Sequence, residues 1–212
     1  MASRETQNRI LDAAITLFNK EGTSQVSTNR IAEAAGVSKG NLHYHFRTKQ
    51  EITFTIWLRI EQEVDSWTGD ASHPTVLHMA EMLHRQYSLI WRYRFFYREL
   101  TTLLDGDVDL KYRFRRQRIQ RMEEIRLFFE ALVDSGVATP PATPDTFPNL
   151  IRISWMVSDY WLSFISVDSR AIDAESMQEG FQLMLELFDP MLTNQAQAEI
   201  RECLRVFTVD VE

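Results

Sequence analysis

The chain has 212 residues, a formal charge of −7 and a single cysteine, Cys203. That length holds one large or two small domains with a sizeable core. The lone cysteine excludes an internal disulfide and suits a reducing compartment. No apolar run approaches the roughly 20 residues of a membrane span and residues 1–7 are polar, so the expectation is a cytoplasmic protein with neither membrane segment nor secretory leader.

Seven glycines and six prolines suit helices better than sheets, no segment alternates like a strand, and the expected class is all-α. The charge is uneven. Residues 1–50 hold seven Lys/Arg against four Asp/Glu, giving +3, and residues 51–212 hold 16 against 26, giving −10. A nucleic-acid surface therefore belongs at the N-terminal end.

A first helix is expected over about 4–21, with Ile10, Ala14, Leu17 and Phe18 at helical spacing and Gly22 as its stop. Two short helices follow, separated by Gly36. Ser27 suits the N-cap of the first, with Val26 and Ile31 as a hydrophobic staple, and Thr28 stands at the helix start where it can face a phosphate. Ile31, Ala34 and Ala35 form a narrow apolar face, and Gly36 suits a left-handed cap. Ser38 caps the second short helix, with Val37 and Leu42 as staple and Leu42 and Phe46 facing inward. The other side carries Lys39, Gly40, Asn41 and His43. Lysine donates to guanine, asparagine bonds adenine or a phosphate, and a bare glycine backbone approaches bases closely. Tyr44, His45 and Lys49 are placed for the phosphate backbone. This is the layout of a helix-turn-helix with its second helix in the major groove.

Thr48 and Glu51 form a capping box that opens a long helix over about 49–68, with Ile52, Ile56, Ile60, Val64 and Trp67 on one stripe. A turn at 69–74 leads to helices over about 74–91 and 93–104, with a break at Asp105-Gly106-Asp107. A long helix over about 108–134 ends at Gly136, and the proline-rich stretch 138–146 is a loop. Further helices are expected over about 147–167, with Pro148 tolerated in its first turn, over about 174–188, and over about 193–207 with Ile200, Cys203, Leu204 and Phe207.

The C-terminal part is rich in aromatic residues. Trp91, Phe95, Tyr97, Trp155 and Tyr160 are the candidates to line an apolar cavity for a small hydrophobic or amphipathic ligand; simple core packing is the alternative for each. The basic run from Lys111 to Arg121 reads as a solvated helix face paired with nearby acids. His73, His78 and His84 have poor spacing for a metal and no cysteine beside them, so no metal and no cofactor are expected. No nucleophile–base arrangement or glycine-rich phosphate loop is present, which argues against an enzyme.

These residues resemble the DNA-binding domain of the tetracycline-repressor (TetR/AcrR) family. Arg9 to Ala14 with Leu17-Phe18 and Glu21-Gly22 is similar to its first helix. Ser27 to Lys49, above all Val37 to Phe46, is similar to its second and third, with His43 where many members have Tyr. The resemblance implies a three-helix DNA-binding domain, residues 1–48, and a larger helical ligand-binding and dimerisation domain, residues 49–212. It implies a homodimer joined by the helices over 147–167 and 174–188 as a four-helix bundle. One helix-turn-helix makes few base contacts, so pairing on the half-sites of a palindrome makes a dimer the expectation on physical grounds as well. The function expected is a dimeric repressor released from double-stranded DNA by a small-molecule effector; the alternative is a DNA-binding regulator controlled by a protein partner.

Overall fold

The computed structural model describes residues 2–65, 74–168 and 170–206, without the side chains at 2, 65 and 203–206. Trp67, the turn at 69–73 with His73, Phe207, and the side chains of Cys203 and Leu204 thus lie outside the described residues. The described residues form eleven α-helices: α1 (Ala2–Glu21), α2 (Thr28–Ala34), α3 (Lys39–His45), α4 (Lys49–Asp65), α5 (Val76–Arg92), α6 (Arg94–Arg98), α7 (Leu100–Gly106), α8 (Val108–Asp134), α9 (Thr146–Val167), α10 (Ala174–Phe188) and α11 (Asn194–Val206). Among the described residues there is no strand, only a bridge between Ala138 and Leu192. No described helix is long and apolar enough to cross a membrane. The single helix expected over 93–104 is two, because Glu99 leaves helical geometry at φ −108° and ψ 16°. The break after it is narrower than expected: Asp105 and Gly106 still belong to α7, and only Asp107 stands outside a helix, where it opens α8 by accepting from the Leu110 amide at 2.9 Å.

The chain forms two compact units. The first comprises α1–α4 with residues 93–113, so residue 48, the expected domain boundary, lies within it. Its core is a set of side chains spaced for inward faces: Ile10, Leu11, Ala14 and Phe18 from α1, Ile31 from α2, Leu42 and Phe46 from α3 and its end, and Ile52, Ile56 and Ile60 from α4. The segment after α5 completes that core. Phe95 is fully buried with its ring 5.1 Å from that of Phe18, and Phe96 stacks on Trp57 at 5.2 Å. Ion pairs tie the helices at the rim, Arg59 to Asp12 at 2.6 Å and Arg30 to Glu21 at 2.6 Å.

A polar clamp fixes the turn between α1 and α2. Gly22 adopts φ +84°, and a Cβ there would lie 2.9 Å from the Glu99 carboxylate. Only glycine permits both the left-handed backbone and that approach. The Thr23 amide and hydroxyl donate to Glu99, at 3.1 Å and 2.5 Å, while the Thr23 carbonyl accepts from the Lys49 ammonium, which also donates to Val26 O at 3.1 Å. Phe95 N donates to Asn19 Oδ1 at 3.0 Å, and Arg98 donates to Phe18 O at 3.2 Å.

The second unit comprises α5, α8 from Phe114 onward, and α9–α11. Met177, Phe181, Met184, Leu185 and Phe188 form the buried face of α10. Gly180 sits where a Cβ would come within 2.6 Å of both Trp161 and Tyr87, so α10 meets these rings at its backbone. The loop at 138–145 is pinned by Thr139 N donating to Met191 O at 2.7 Å and Thr193 N donating to Val137 O at 3.0 Å. Phe129 stacks between Phe147 and Phe188, at 5.6 and 4.7 Å.

Polar groups interrupt this core. Gln117 and Arg121 on α8 and Ser154, Ser158 and Asp159 on α9 are buried. The Tyr87 hydroxyl, the Ser88 hydroxyl and the Trp155 indole N–H are buried without a hydrogen-bond partner. Burial pushes the Asp159 carboxyl up to about 7 against the opposing pull of the Arg118 charge.

Two outcomes are expected. Glu99→Ala strands the buried Thr23 amide and should lower unfolding stability by roughly 2–4 kcal/mol in urea titrations; an unchanged midpoint would show that water replaces the carboxylate. The folded chain keeps the Asp159 proton over a range where the unfolded chain has released it, so this group makes stability fall as pH rises toward about 7. Relative to Asp159→Asn, the parent chain should lose roughly 2–3 kcal/mol between pH 5 and pH 8. Parallel pH profiles for the two proteins would contradict this.

Candidate nucleic-acid interface

The short helices form as their local chemistry demands. Ser27 Oγ accepts from the Arg30 amide at 3.3 Å, and Ser38 Oγ accepts from the Asn41 amide at 3.1 Å, so both expected caps are made. α2 ends in a Schellman motif: Val37 N donates to Ala32 O at 2.9 Å and Gly36 N to Glu33 O at 3.0 Å, with Gly36 at φ +64°. Arg9 on α1 adds a third closure, donating to Ala35 O at 2.6 Å. The turn between the helices is thus held from both sides. At the start of α4 Thr48 Oγ1 accepts from the Glu51 amide at 3.1 Å, but Glu51 reaches back to the Arg47 amide, at 2.8 Å, one residue earlier than a capping box requires.

Leu42 and Phe46 anchor α3 on the core, which turns its other side outward. Ser38, Lys39, Gly40, Asn41, His43 and Tyr44 are all exposed there, and α3 contains no acidic residue. Tyr44 is 82% exposed, its ring edge-on to the half-buried His45 at 5.2 Å. Nothing lies within 4 Å of a Cβ placed on Gly40. Gly40 is the second residue of α3, where glycine is a weaker helix former than alanine, and packing within the chain gives no reason for it. Ser38 has used a lone pair in capping and keeps its O–H free to donate. Thr28 is the first residue of α2 and half-buried. Lys49 differs from the rest, because its ammonium is turned inward to the Thr23 and Val26 carbonyls.

The five aromatic candidates for a ligand cavity are not brought together. Phe95 and Tyr97 are buried in the first unit, where Tyr97 packs edge-on to Phe96 at 5.9 Å. Trp91, Trp155 and Tyr160 belong to the second. Trp91 is half-buried, Trp155 is half-buried with its N–H sealed inside, and Tyr160 stands 44% exposed on the outer face of α9. In the basic run of α8, Lys111 pairs with Asp105 at 2.8 Å, Arg113 with Glu61 at 3.1 Å and Arg121 with Glu124 at 2.5 Å, while Arg115 and Arg116 are exposed. Sequence reasoning passed over Glu99, Asp159 and Gln117. For Asp159 a signal existed, an acid set between Trp155 and Leu162 on an apolar helical face; for Glu99 none did, since its partner is 76 residues away.

Residues 10–55 match the family model of bacterial regulatory proteins of the tetR family, and residues 54–200 match that of a bacterial transcriptional repressor domain, TetR. The transcriptional regulator AcrR of Shigella flexneri is 39% identical over 62 residues, and SrpR of Pseudomonas putida is 40% identical over 50 residues. These matches cover 29% and 24% of this chain and the same shares of those relatives. A TetR-family regulator from Marinobacter aquaeolei is similar over 95% of this chain and 98% of its own, with a TM-score of 0.84 and 29% identity. A regulator from Saccharomonospora viridis, solved in complex with choline, shares the fold at a TM-score of 0.70 and 16% identity over 90% of this chain and all of its own. With both family models matched along most of its length, the chain belongs to the TetR family of bacterial transcriptional regulators and is a DNA-binding regulator rather than an enzyme.

Proposed function

We propose that this regulator is a dimeric repressor, released from a palindromic operator by a small hydrophobic or amphipathic ligand held in its second unit. The observation that carries the DNA-binding surface is the outward face of α3. It exposes Lys39, Asn41, His43 and an 82% exposed Tyr44 around a glycine that the fold does not need. In this reading Gly40 lets the backbone approach the base edges, Lys39 and Asn41 read them, and Thr28, Ser38, Tyr44 and His45 meet phosphates. Lys49 serves the surface by holding the turn before α2.

One helix-turn-helix makes few base contacts, and pairing on half-sites one helical turn apart supplies the rest. Ile153, Met156, Tyr160, Phe164 and Val167 repeat at three- and four-residue spacing along the outside of α9, all exposed, and Leu183 is exposed on α10. That stripe supports α9 and α10 as the self-association surface, which assigns Tyr160 to the dimer in preference to a cavity. A fold that holds choline in one neighbour supports a small-molecule effector. Such a ligand acts only through a higher affinity for the state that does not fit the operator.

Selection of bound genomic fragments by the purified protein, then salt titration on the best site, tests the reading. A palindrome bound far more tightly than random DNA, with affinity falling steeply as salt rises, is expected; no enrichment by a folded dimer would refute it. Gly40→Ala should raise thermal stability by roughly 0.5–1 kcal/mol and still weaken operator binding. A variant as tight as the parent would remove Gly40 from the interface. Paired substitution of Met156 and Phe164 by aspartate should give folded monomers in sedimentation, and a persistent dimer would place the interface elsewhere.

A further inference from the structure

A cleft of about 300 Å³ opens in the second unit between the end of α10 and α11. Leu185, Glu186, Asp189, Pro190, Ile200 and Arg201 line it. Leu185 and Ile200 are buried and give it an apolar floor, while Glu186, Pro190 and Arg201 are exposed at its rim. The walls are held by bonds within the fold. Pro190 stands in the first turn of a short 3-10 helix, Asp189–Met191, directly after α10. The Asp189 carbonyl accepts from Leu192 N at 3.0 Å and from Gln197 Nε2 at 2.9 Å, which ties this turn to α11. Thr139 N holds the same turn through Met191 O at 2.7 Å, and Phe188 is stacked on Phe129 at 4.7 Å. The space is therefore preformed, and a ligand that enters it has no wall to order.

Charges of both signs line this cleft and stay apart. Glu186 and Asp189 bring two carboxylates from the α10 side, and Arg201 brings a guanidinium from α11. Elsewhere on the chain Arg30, Arg59, Arg113, Arg121 and Arg170 each close an ion pair with a carboxylate. Arg201 closes none, and the Glu186 and Asp189 carboxylates make no ion pair or hydrogen bond among the described residues. A gap therefore lies between the acids and the base. A simple anion in it would meet the guanidinium and two carboxylates of its own sign. A simple cation would meet the carboxylates and a guanidinium of its own sign. A molecule that carries both charges a few atoms apart meets a partner for each, and hydrogen bonds between ionised groups are the strong kind, above all a carboxylate on a guanidinium. The volume equals that of roughly ten water molecules in the liquid. That is room for an amino acid with a medium apolar side chain, which the floor of Leu185 and Ile200 would cover.

We infer that this cleft is a binding site for a zwitterionic, apolar amino acid, with its carboxylate on Arg201, its ammonium on Glu186 and Asp189, and its side chain against Leu185, Pro190 and Ile200. The site is separate from the effector reading above and does not rest on it.

Three probes with one apolar group and different ends test it on the full protein by calorimetric titration: leucine, isopentylamine, which lacks the carboxylate, and 4-methylpentanoate, which lacks the ammonium. Leucine should bind at least about tenfold more tightly than either of the others, the strength expected of a charge-assisted bond. Arg201→Gln should weaken leucine about tenfold and leave the amine bound no more weakly than by the parent. Glu186→Gln should weaken leucine several-fold and leave 4-methylpentanoate bound no more weakly. Both side chains are exposed and make no bond in the fold, so both variants should melt with the parent's midpoint. No binding of leucine, equal binding of the three probes, or a leucine affinity indifferent to both substitutions would each overturn the assignment, the last by placing bound leucine elsewhere. DNA does not enter the titration, so failure here is distinct from failure of the operator selection.

Discussion

The placement of α3 depends on how one residue in the turn after α1 is held. Thr23 is buried, and neither its amide nor its carbonyl has a backbone partner in that turn. Two side chains of opposite charge supply them, Glu99 to the amide and Lys49 to the carbonyl. In a site shielded from water both bonds gain strength, and both become costly to lose. The turn sets the direction in which the chain enters α2; Arg9 and Gly36 then set the direction in which it leaves for α3. The outward face of α3 inherits its position from these two fixed corners.

The two units handle polarity in different ways. In the first, the Gly22–Thr23 turn is held by side chains from elsewhere in the same unit. In the second, the Tyr87 and Ser88 hydroxyls are buried without a hydrogen-bond partner, and burial holds the Asp159 carboxyl well above its usual range. A fully satisfied network makes a rigid support, and an incomplete one offers specific hydrogen bonds to whatever enters.

The features legible from the sequence were those governed by neighbours within a few residues. Ser27, Ser38 and Gly36 act as their local patterns foretold, and α8 and α10 have the expected bounds because turns, caps and glycines mark both ends. Pro148 falls in the first turn of α9 as expected. What local pattern could not show was long-range pairing. Lys49 has the look of a surface cation, and its inward course follows from carbonyls more than 20 residues away. The break at Glu99 interrupts a run with unbroken helical spacing. Phe95 and Tyr97 stand close in sequence to Trp91, but the chain passes from one unit to the other at residue 93. Proximity in sequence therefore does not place these aromatics in one unit.

The first unit is not a contiguous stretch of chain. It borrows Tyr93 to Arg113 from beyond α5, and that segment brings Phe95 against Phe18, Asn19 its amide partner, and Glu99 to the Gly22–Thr23 turn. Exchange of operator specificity between relatives by transplanting the N-terminal helices alone would therefore separate α1 from the residues that complete its core. Grafts of this kind should carry residues 93–113 along, or keep the host residues at 18, 19, 22 and 23 and change only the outer face of α3. In this chain the outer face of α3 can change without touching that core, while α1 and the segment after α5 share one packing surface and constrain each other.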